Sequence, residues 1–436
     1  MDALDWPPMQ VNSFMPRRLR QSPFLSAVTI LLSGATLAQL IPLLTMPFLA
    51  RMYLPEMFAA QALLIMITTV CAPLSTGNYE LAIPIPRLRR RADAIATMTL
   101  FLCLGFCAAM LLVIWLCWGW ISTTSPLAPL HHWVLASPAV VLAVTLANIC
   151  NYWLLREGRF VRQTMSKLFL AGSTAVLMIL FGLLHVPSGL LIGFAVGQWA
   201  GALAALCFAY RAGLRFTVER MYALAILRHY RQFPIFGSVP TVISNMAVQL
   251  PLMLITARFS YADAGNYAVV RSLFNAGSML IALAVGQVLM KHVAQRAQQR
   301  LPIWPYYRRL ALALFAGACG LSAGAFVFGH WFFRLYLGAA WTQVGWIAQL
   351  LSINIVFMVT ASALSFAALA LKQVKTVALW QCSYGVLAAG LFFLRGDTFP
   401  QFVGTLVGLE TFAYGTYAVL VSWVVWRHDR SRFGAV

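Results

Sequence analysis

The sequence predicts an all-α polytopic membrane protein, with twelve transmembrane helices arranged as two pseudo-symmetric six-helix lobes. Three observations carry that expectation. With 61% hydrophobic and only 10% charged residues, a water-soluble globule would have nowhere to put its apolar surface. Runs of about 20 apolar residues, long enough to cross a hydrocarbon core of about 30 Å as helices, recur twelve times. Finally, Arg51 and Glu56 close one hydrophobic segment and Arg258 and Asp263 close another, at an offset of 258 − 51 = 263 − 56 = 207 that is nearly half of 436. No other arginine has a carboxylate five positions downstream. Both copies fall at equivalent points of a repeated topology, as an internal duplication requires.

The first lobe is expected over 25–210, with spans at about 25–47, 58–78, 95–118, 133–155, 167–185 and 189–210. Span 1 is too long for a signal h-region and lacks an A-x-A exit, so it reads as a retained helix. Thr29, Ser33, Thr36 and Gln39 recur along it at spacings of four and three as one polar stripe. Pro42 and Pro47 follow and are expected to bend or break the helix. Span 2 ends in Tyr79-Glu80-Leu81-Ala82-Ile83, where Glu80 is expected to form an interfacial ion pair ahead of the basic run Arg87, Arg89, Arg90 and Arg91. The vicinal His131 and His132 lie in a loop with no further Cys, His, Asp or Glu nearby on its own side, which argues against a metal site. In span 6, Gly193, Gly197 and Gly201 form a ridge that lets another helix approach closely.

A linker at 211–233 puts Leu214, Met221, Leu224 and Leu227 on one face and Arg220, Arg228 and Arg231 on the other, which suits a helix lying in the interface. The second lobe follows over 234–426, with spans at 234–257, 267–290, 309–331, 344–370, 376–394 and 401–426. Span 7 repeats the device of span 1: a stripe of Ser238, Thr241, Asn245 and Gln249 with Pro240 and Pro251 nearby. Span 8 continues it with Arg271, Asn275 and Ser278, and span 12 carries Glu410 between the small residues Gly404 and Gly408 and its polar end. Segments 1–24 and 427–436 are expected on the cytoplasmic side.

Orientation follows from the basic residues. If the amino terminus is cytoplasmic, Arg51, Arg258, Arg271, Arg334 and Arg395 lie on the outer side, and the other 31 − 5 = 26 Lys and Arg lie on the inner side. That bias fits twelve spans and this direction. The net charge of +20 is spread over seven inner-face segments rather than gathered in a patch, so anionic membrane lipid rather than nucleic acid is the expected partner. The eight cysteines fall inside spans without a C-x-x-C and read as buried small apolar residues. No phosphate loop, H-E-x-x-H or G-x-S-x-G is present, so neither an enzyme nor a cofactor is expected.

Polar stripes on the first helices of both halves are better explained by a shared wet cavity between lobes than by helix glue alone. Arginine at mid-bilayer costs about 3 kcal/mol by insertion scales, so Arg271 needs a snorkelling route or an anionic partner. Guanidinium suits phosphate through its planar fork, and a basic cavity points to an anionic cargo. The expected substrate-cavity residues are Gln39, Arg51, Asn245, Gln249, Arg258, Arg271 and Asn275. For Arg51 and Arg258 a local ion pair with Glu56 or Asp263 competes with that role. Glu80, Glu410, Pro42 and Pro47 are the gating or coupling candidates, and for Glu410 a structural hydrogen bond to a neighbouring helix is the competing reading.

The stretch SGATLAQLIPLLTMPFLARMYLPEMFAAQALL, then Tyr79-Glu80-x-Ala82-Ile83-x-x-Pro86 ahead of an inner loop, resembles the Wzx-type polysaccharide flippases, relatives of the MATE exporters and the lipid II flippase. The likeness is strongest over 30–95 and recurs at 234–292, where FGSVPTVISNMAVQLPLMLITARFSYADAGNYAVVRSL looks like the start of that family's second lobe. It departs at Ala59, where the family tends to have Gly. The resemblance implies a MATE- or lipid II flippase-like fold. It also implies movement of an undecaprenyl-pyrophosphate-linked oligosaccharide repeat unit, as for O-antigen or exopolysaccharide, from the inner to the outer leaflet of a bacterial cytoplasmic membrane by alternating access. A polysaccharide polymerase and chain-length machinery would be partners. Three other readings stay open: a cation-coupled MATE-type small-molecule exporter, which tends to rely on carboxylates in the lobes; a membrane-embedded polymerase or ligase, which would normally show a large outer loop; and a major-facilitator carrier, whose loop 2–3 signature is not matched by IPIPRLRRRAD.

Overall fold

In the computed structural model, residues 23–123, 131–216, 230, 234–338, 341, 343–371, 373–392 and 398–433 are described. They form twelve long helices: α1 (Pro23–Met52), α2 (Pro55–Thr76), α3 (Arg89–Leu116), α4 (His131–Arg156), α5 (Phe160–Leu183), α6 (Gly189–Arg211), α7 (Val239–Arg258), α8 (Tyr261–Gln298), α9 (Trp304–Leu337), α10 (Val344–Ala370), α11 (Val374–Ala389) and α12 (Phe399–Phe433). Nine are long and apolar enough to cross a membrane, and α1 and α11 contribute shorter apolar stretches, Thr36–Met52 and Leu379–Phe392. The α12 helix, 35 residues long, carries Glu410 in its interior. Most of the expected interfacial linker, 217–229 and 231–233, lies outside the described residues.

The duplication is visible in the packing. In the first lobe α1 packs on α5, α5 on α6, α6 on α4, and α4 on both α2 and α3. In the second lobe α7 packs on α11, α11 on α12, α12 on α10, and α10 on both α8 and α9. Each of these five pairings recurs six helices later. The lobes meet where α2 lies against α8, with α2 against α7 and α1 against α8 flanking that contact. An approximate two-fold axis between α2 and α8 is what such a pattern requires.

The halves are not equally tight. Each Cβ added to Gly193, Gly197 or Gly201 of α6 would sit 2.7, 2.5 or 2.3 Å from Met178, Thr174 or Leu170 of α5, so the expected ridge brings those two backbones together. The corresponding ridge in α12 does not form: nothing lies within 4 Å of a Cβ added to Gly404 or Gly408. The reason is that α11 packs mainly on α7 and only lightly on α12.

Apolar burial distinguishes the two ends of the bundle. At the end carrying Arg51 and Arg258, one continuous core joins Leu49, Phe58 and Leu63 of the first lobe to Ile255, Tyr267, Phe333, Trp341 and Phe402 of the second. At the opposite end, where the basic loops lie, each lobe keeps its own core, around Trp153 and Ile95 in one and around Tyr307 and Leu289 in the other. The lobes are thus sealed to each other at the Arg51 end. At the basic end they touch where α2 turns out of its last helical residue: a Cβ on Gly77 would sit 3.4 Å from Pro234. That turn needs two left-handed residues in succession, Gly77 at φ 59° and Asn78 at φ 55°, which glycine and asparagine tolerate best. Ala59, where the resemblance weakens, lies inside α2 and is fully buried.

Candidate functional site

A proline inside a helix has no N–H to give to the carbonyl four residues earlier. In a low-dielectric setting that carbonyl needs another donor. The α1 helix runs unbroken through Pro42 and Pro47, so the expected break does not occur. What Pro47 does is release the carbonyl of Leu43, and the hydroxyl of Tyr336, from α9 of the other lobe, donates to it. Pro73 of α2 likewise releases the carbonyl of Thr69, to which Nδ2 of Asn245 in α7 donates at 2.9 Å. Two of the cross-lobe bonds therefore rest on carbonyls vacated by proline, one near each end of the bundle. Helix ends also leave carbonyls without partners. Trp341 Nε1 donates to Ala50 O at 2.8 Å and Arg51 Nη2 to Leu335 O at 3.1 Å, both across the lobes at the sealed end. There Gly265 is obligatory, because a Cβ would fall 1.8 Å from the carbonyl oxygen of Pro55.

The local ion pair between Arg51 and Glu56 is not formed among the described residues. Arg51 and Arg258 each lie in the last turn of a helix, and Glu56 and Asp263 each lie in the first turn of the next. Each charge thereby offsets the adjacent helix dipole. Asp263 also completes a capping box: its amide donates to the Ser260 hydroxyl at 3.0 Å, and its carboxylate accepts from the Ser260 amide. Arg51 bridges the lobes, whereas Arg258 donates to Phe392 O at 2.8 Å inside its own lobe.

Deeper in the second lobe, Arg271 lies ten residues into α8, about 15 Å along its axis. Its Nη1 donates to Oε2 of Glu410 on α12 at 2.5 Å, and the two side chains are 11% and 1% exposed. The anionic partner that Arg271 needs is therefore Glu410, the most buried carboxylate among the described residues. Asn354 Nδ2 from α10 donates to the same oxygen, and the Tyr384 hydroxyl from α11 donates to Oε1 at 3.4 Å. Four helices meet on one carboxyl group. The Nε of Arg271, the hydroxyl of Tyr267 one turn earlier on the same face and Oδ1 of Asn354 are buried without hydrogen-bond partners. Two of these three atoms carry a hydrogen to donate, and unspent donors on and beside a guanidinium suit an incoming oxyanion.

Two further candidates make contacts between the lobes. Gln39 Nε2 of α1 reaches Met279 Sδ of α8 at 3.7 Å, and Asn245 crosses from α7 to α2, so these two stripe residues face the opposite lobe. Gln249 and Asn275 are half-buried on α7 and α8. The side chains of Thr29 and Ser33 lie outside the described residues. Sequence reasoning missed Asn354, Tyr384 and Tyr336. Each is one polar group in an apolar span, with no pattern that could have named its partner.

Glu80 differs from expectation. It sits in a short 3-10 turn, Tyr79–Ala82, is 7% exposed, and its Oε2 has no partner. No ion pair reaches it among the described residues. The nearby guanidinium groups are spent elsewhere: Arg156 on the Glu157 carboxylate and, at 3.3 and 3.2 Å, on the carbonyls of Pro86 and Arg87, and Arg89 on the carbonyl of Ala212 at 2.9 Å. Burial pushes the Glu80 carboxyl above its ordinary value of 4.5, opposed by hydrogen bonds from Thr76 and its own backbone.

No family model matches the chain, and no curated protein sequence does. Solved structures do. A multidrug resistance MATE family transporter of the MOP superfamily, in an inward-facing conformation, aligns with a TM-score of 0.69 at 13% identity over 90% of this chain and 95% of that one. The lipid II flippase MurJ, in an inward closed conformation, aligns with a TM-score of 0.71 at 12% identity over 91% and 87%. The eukaryotic MATE transporter AtDTX14 aligns with a TM-score of 0.59 at 13% identity over 93% and 96%. At such identities the likeness is one of fold: the chain is a polytopic all-α membrane protein with the two-lobed architecture shared by MATE transporters and MurJ.

Proposed function

We propose that this chain is a flippase rather than an enzyme, moving an undecaprenyl-pyrophosphate-linked oligosaccharide repeat unit from the inner to the outer leaflet of the bacterial cytoplasmic membrane for polysaccharide export. The lobes, 25–210 and 234–426 joined through 211–233, rock about the α2–α8 contact to expose the site alternately. The single observation carrying this reading is the buried Arg271 guanidinium with its orphaned Nε beside the unspent Tyr267 hydroxyl. Such a site suits a phosphate oxygen. The basic end faces the cytoplasm with both termini, in keeping with 26 of 31 Lys and Arg on that side. Sugar and diphosphate travel between the lobes while the polyprenyl tail stays in lipid, and polymerase and chain-length machinery would act on the product.

The alternative is a cation-coupled small-molecule exporter of the MATE type, the fold being shared with a multidrug resistance MATE family transporter, and the Glu410 carboxylate is the feature that favours that reading. Its charge is already matched by Arg271, which weakens it. Reconstitution tests the choice: proteoliposomes loaded with fluorescent lipid-linked oligosaccharide should show outward transfer that Arg271→Gln abolishes. Efflux of a cationic dye with no transfer of the lipid-linked sugar would refute the flippase reading.

A further inference from the structure

We propose that Glu410 is a built-in competitor of the substrate's anionic group for Arg271, which sets both the selectivity of the site and the rate at which it lets go. This rests on the reading that Arg271 takes an anionic headgroup. The pair is unequal in a telling way: Arg271 retains 11% exposure while Glu410 has 1%. The long arginine side chain is the partner able to swing away, and the carboxylate stays. Glu410 is also held without Arg271, since Asn354 and Tyr384 donate to its two oxygens from α10 and α11. Losing the guanidinium therefore leaves the carboxylate hydrogen-bonded rather than bare.

The guanidinium fork is half spent in this arrangement. Nη1 is on Glu410, and Nε is buried with no partner, so the Nε edge is unspent and takes an oxyanion as the side chain swings out. The charges then work against retention. Arg271 and Glu410 alone are neutral together, but a diphosphate beside both leaves the pocket net negative. Among the described residues, Tyr267, Tyr384 and Tyr414 are the other titratable side chains around it, and they are neutral phenols near pH 7. Return of Arg271 to Glu410 strips the anion of its cation and expels it. Only a group that outcompetes a carboxylate opens the pair, so a diphosphate is admitted and a carboxylate monoanion is refused.

A site that is competent for a fraction f of the time shows its dissociation constant raised by 1/f. If Glu410 occupies Arg271 about nine-tenths of the time, removing the competitor lowers the apparent constant about tenfold. Calorimetry on the full chain in nanodiscs, with inorganic pyrophosphate as the probe and acetate as its control, reads this directly. Glu410→Gln should bind pyrophosphate about tenfold more tightly and begin to bind acetate; its flipping should show a lower KM together with a lower kcat, because release is slowed. Unchanged or weaker binding by Glu410→Gln, alongside lost binding by Arg271→Gln, would overturn the competitor and leave the flippase reading standing. Binding unaffected by Arg271→Gln would sink both. If Glu410→Gln does not assemble, Glu410→Asp keeps the charge but withdraws it by one methylene, and should shift affinity in the same direction by less; no shift refutes the proposal.

Discussion

Tyr336→Phe isolates one cross-lobe bond at the sealed end, since it deletes a hydroxyl and leaves the ring that stacks on Phe332. The lost donor served Leu43 O, which has no helical partner because Pro47 stands four residues on. Side chains of Trp341 and Arg51 make the other bonds described across that seam. Interhelical polar contacts in membranes average about 0.6 kcal/mol and reach about 1.7. Divided by RT, that range is an increase of about 3-fold to about 20-fold in the population open at the Arg51 end. Hydrogen–deuterium exchange reads the opening: amides in peptides covering 43–58 and 333–344 should exchange faster by that factor, while those of α5 and α6 should not change. Pro47→Ala gives Leu43 O an amide donor of its own, so adding it to Tyr336→Phe should cost less than the two changes summed, with a coupling of about 0.5 kcal/mol or more. Exchange at the seam unchanged by Tyr336→Phe, or strict additivity in the double variant, would refute the role assigned to the proline-vacated carbonyl.

At the other end, Asn245→Ala removes the donor to Thr69 O, and exchange should quicken in peptides covering 66–78 and 234–246 while the Arg51 seam stays protected. Gly197→Ala forces a methyl to 2.5 Å from the α5 backbone at Thr174 and should cost about 1–3 kcal/mol in thermal unfolding, whereas Gly404→Ala, facing open space, should stay within about 0.5 kcal/mol of the parent. For Glu80, burial raises the carboxyl in the folded state above its ordinary 4.5. Its contribution is therefore fully present below that value and is lost as pH rises through the folded pKa. Glu80→Gln should accordingly raise the melting temperature at neutral pH and leave it unchanged at acid pH; a constant difference across the range would contradict the burial argument.

Much of the architecture was legible in the chain alone. Twelve apolar runs and the rhyme between Arg51 and Arg258 specify span number and internal repeat, because bilayer thickness and duplication both act along the sequence. The polar faces of α1 and α7 were legible too, and Gln39 and Asn245 do reach the opposite lobe. Tertiary structure alone decided the partners. That Arg271 meets Glu410, 139 residues away, depends on how α8 and α12 both pack on α10, and no local spacing encodes it. The glycine pairs of α6 and α12 read alike, yet only α6 has a helix pressed against its ridge. Pro47 and Pro73 announce that a carbonyl is vacated; which donor answers is settled by the angle at which two lobes meet. Periodicity and composition are properties of a chain, whereas a hydrogen bond between distant helices is a property of a packing, and the candidate site is made almost entirely of the latter.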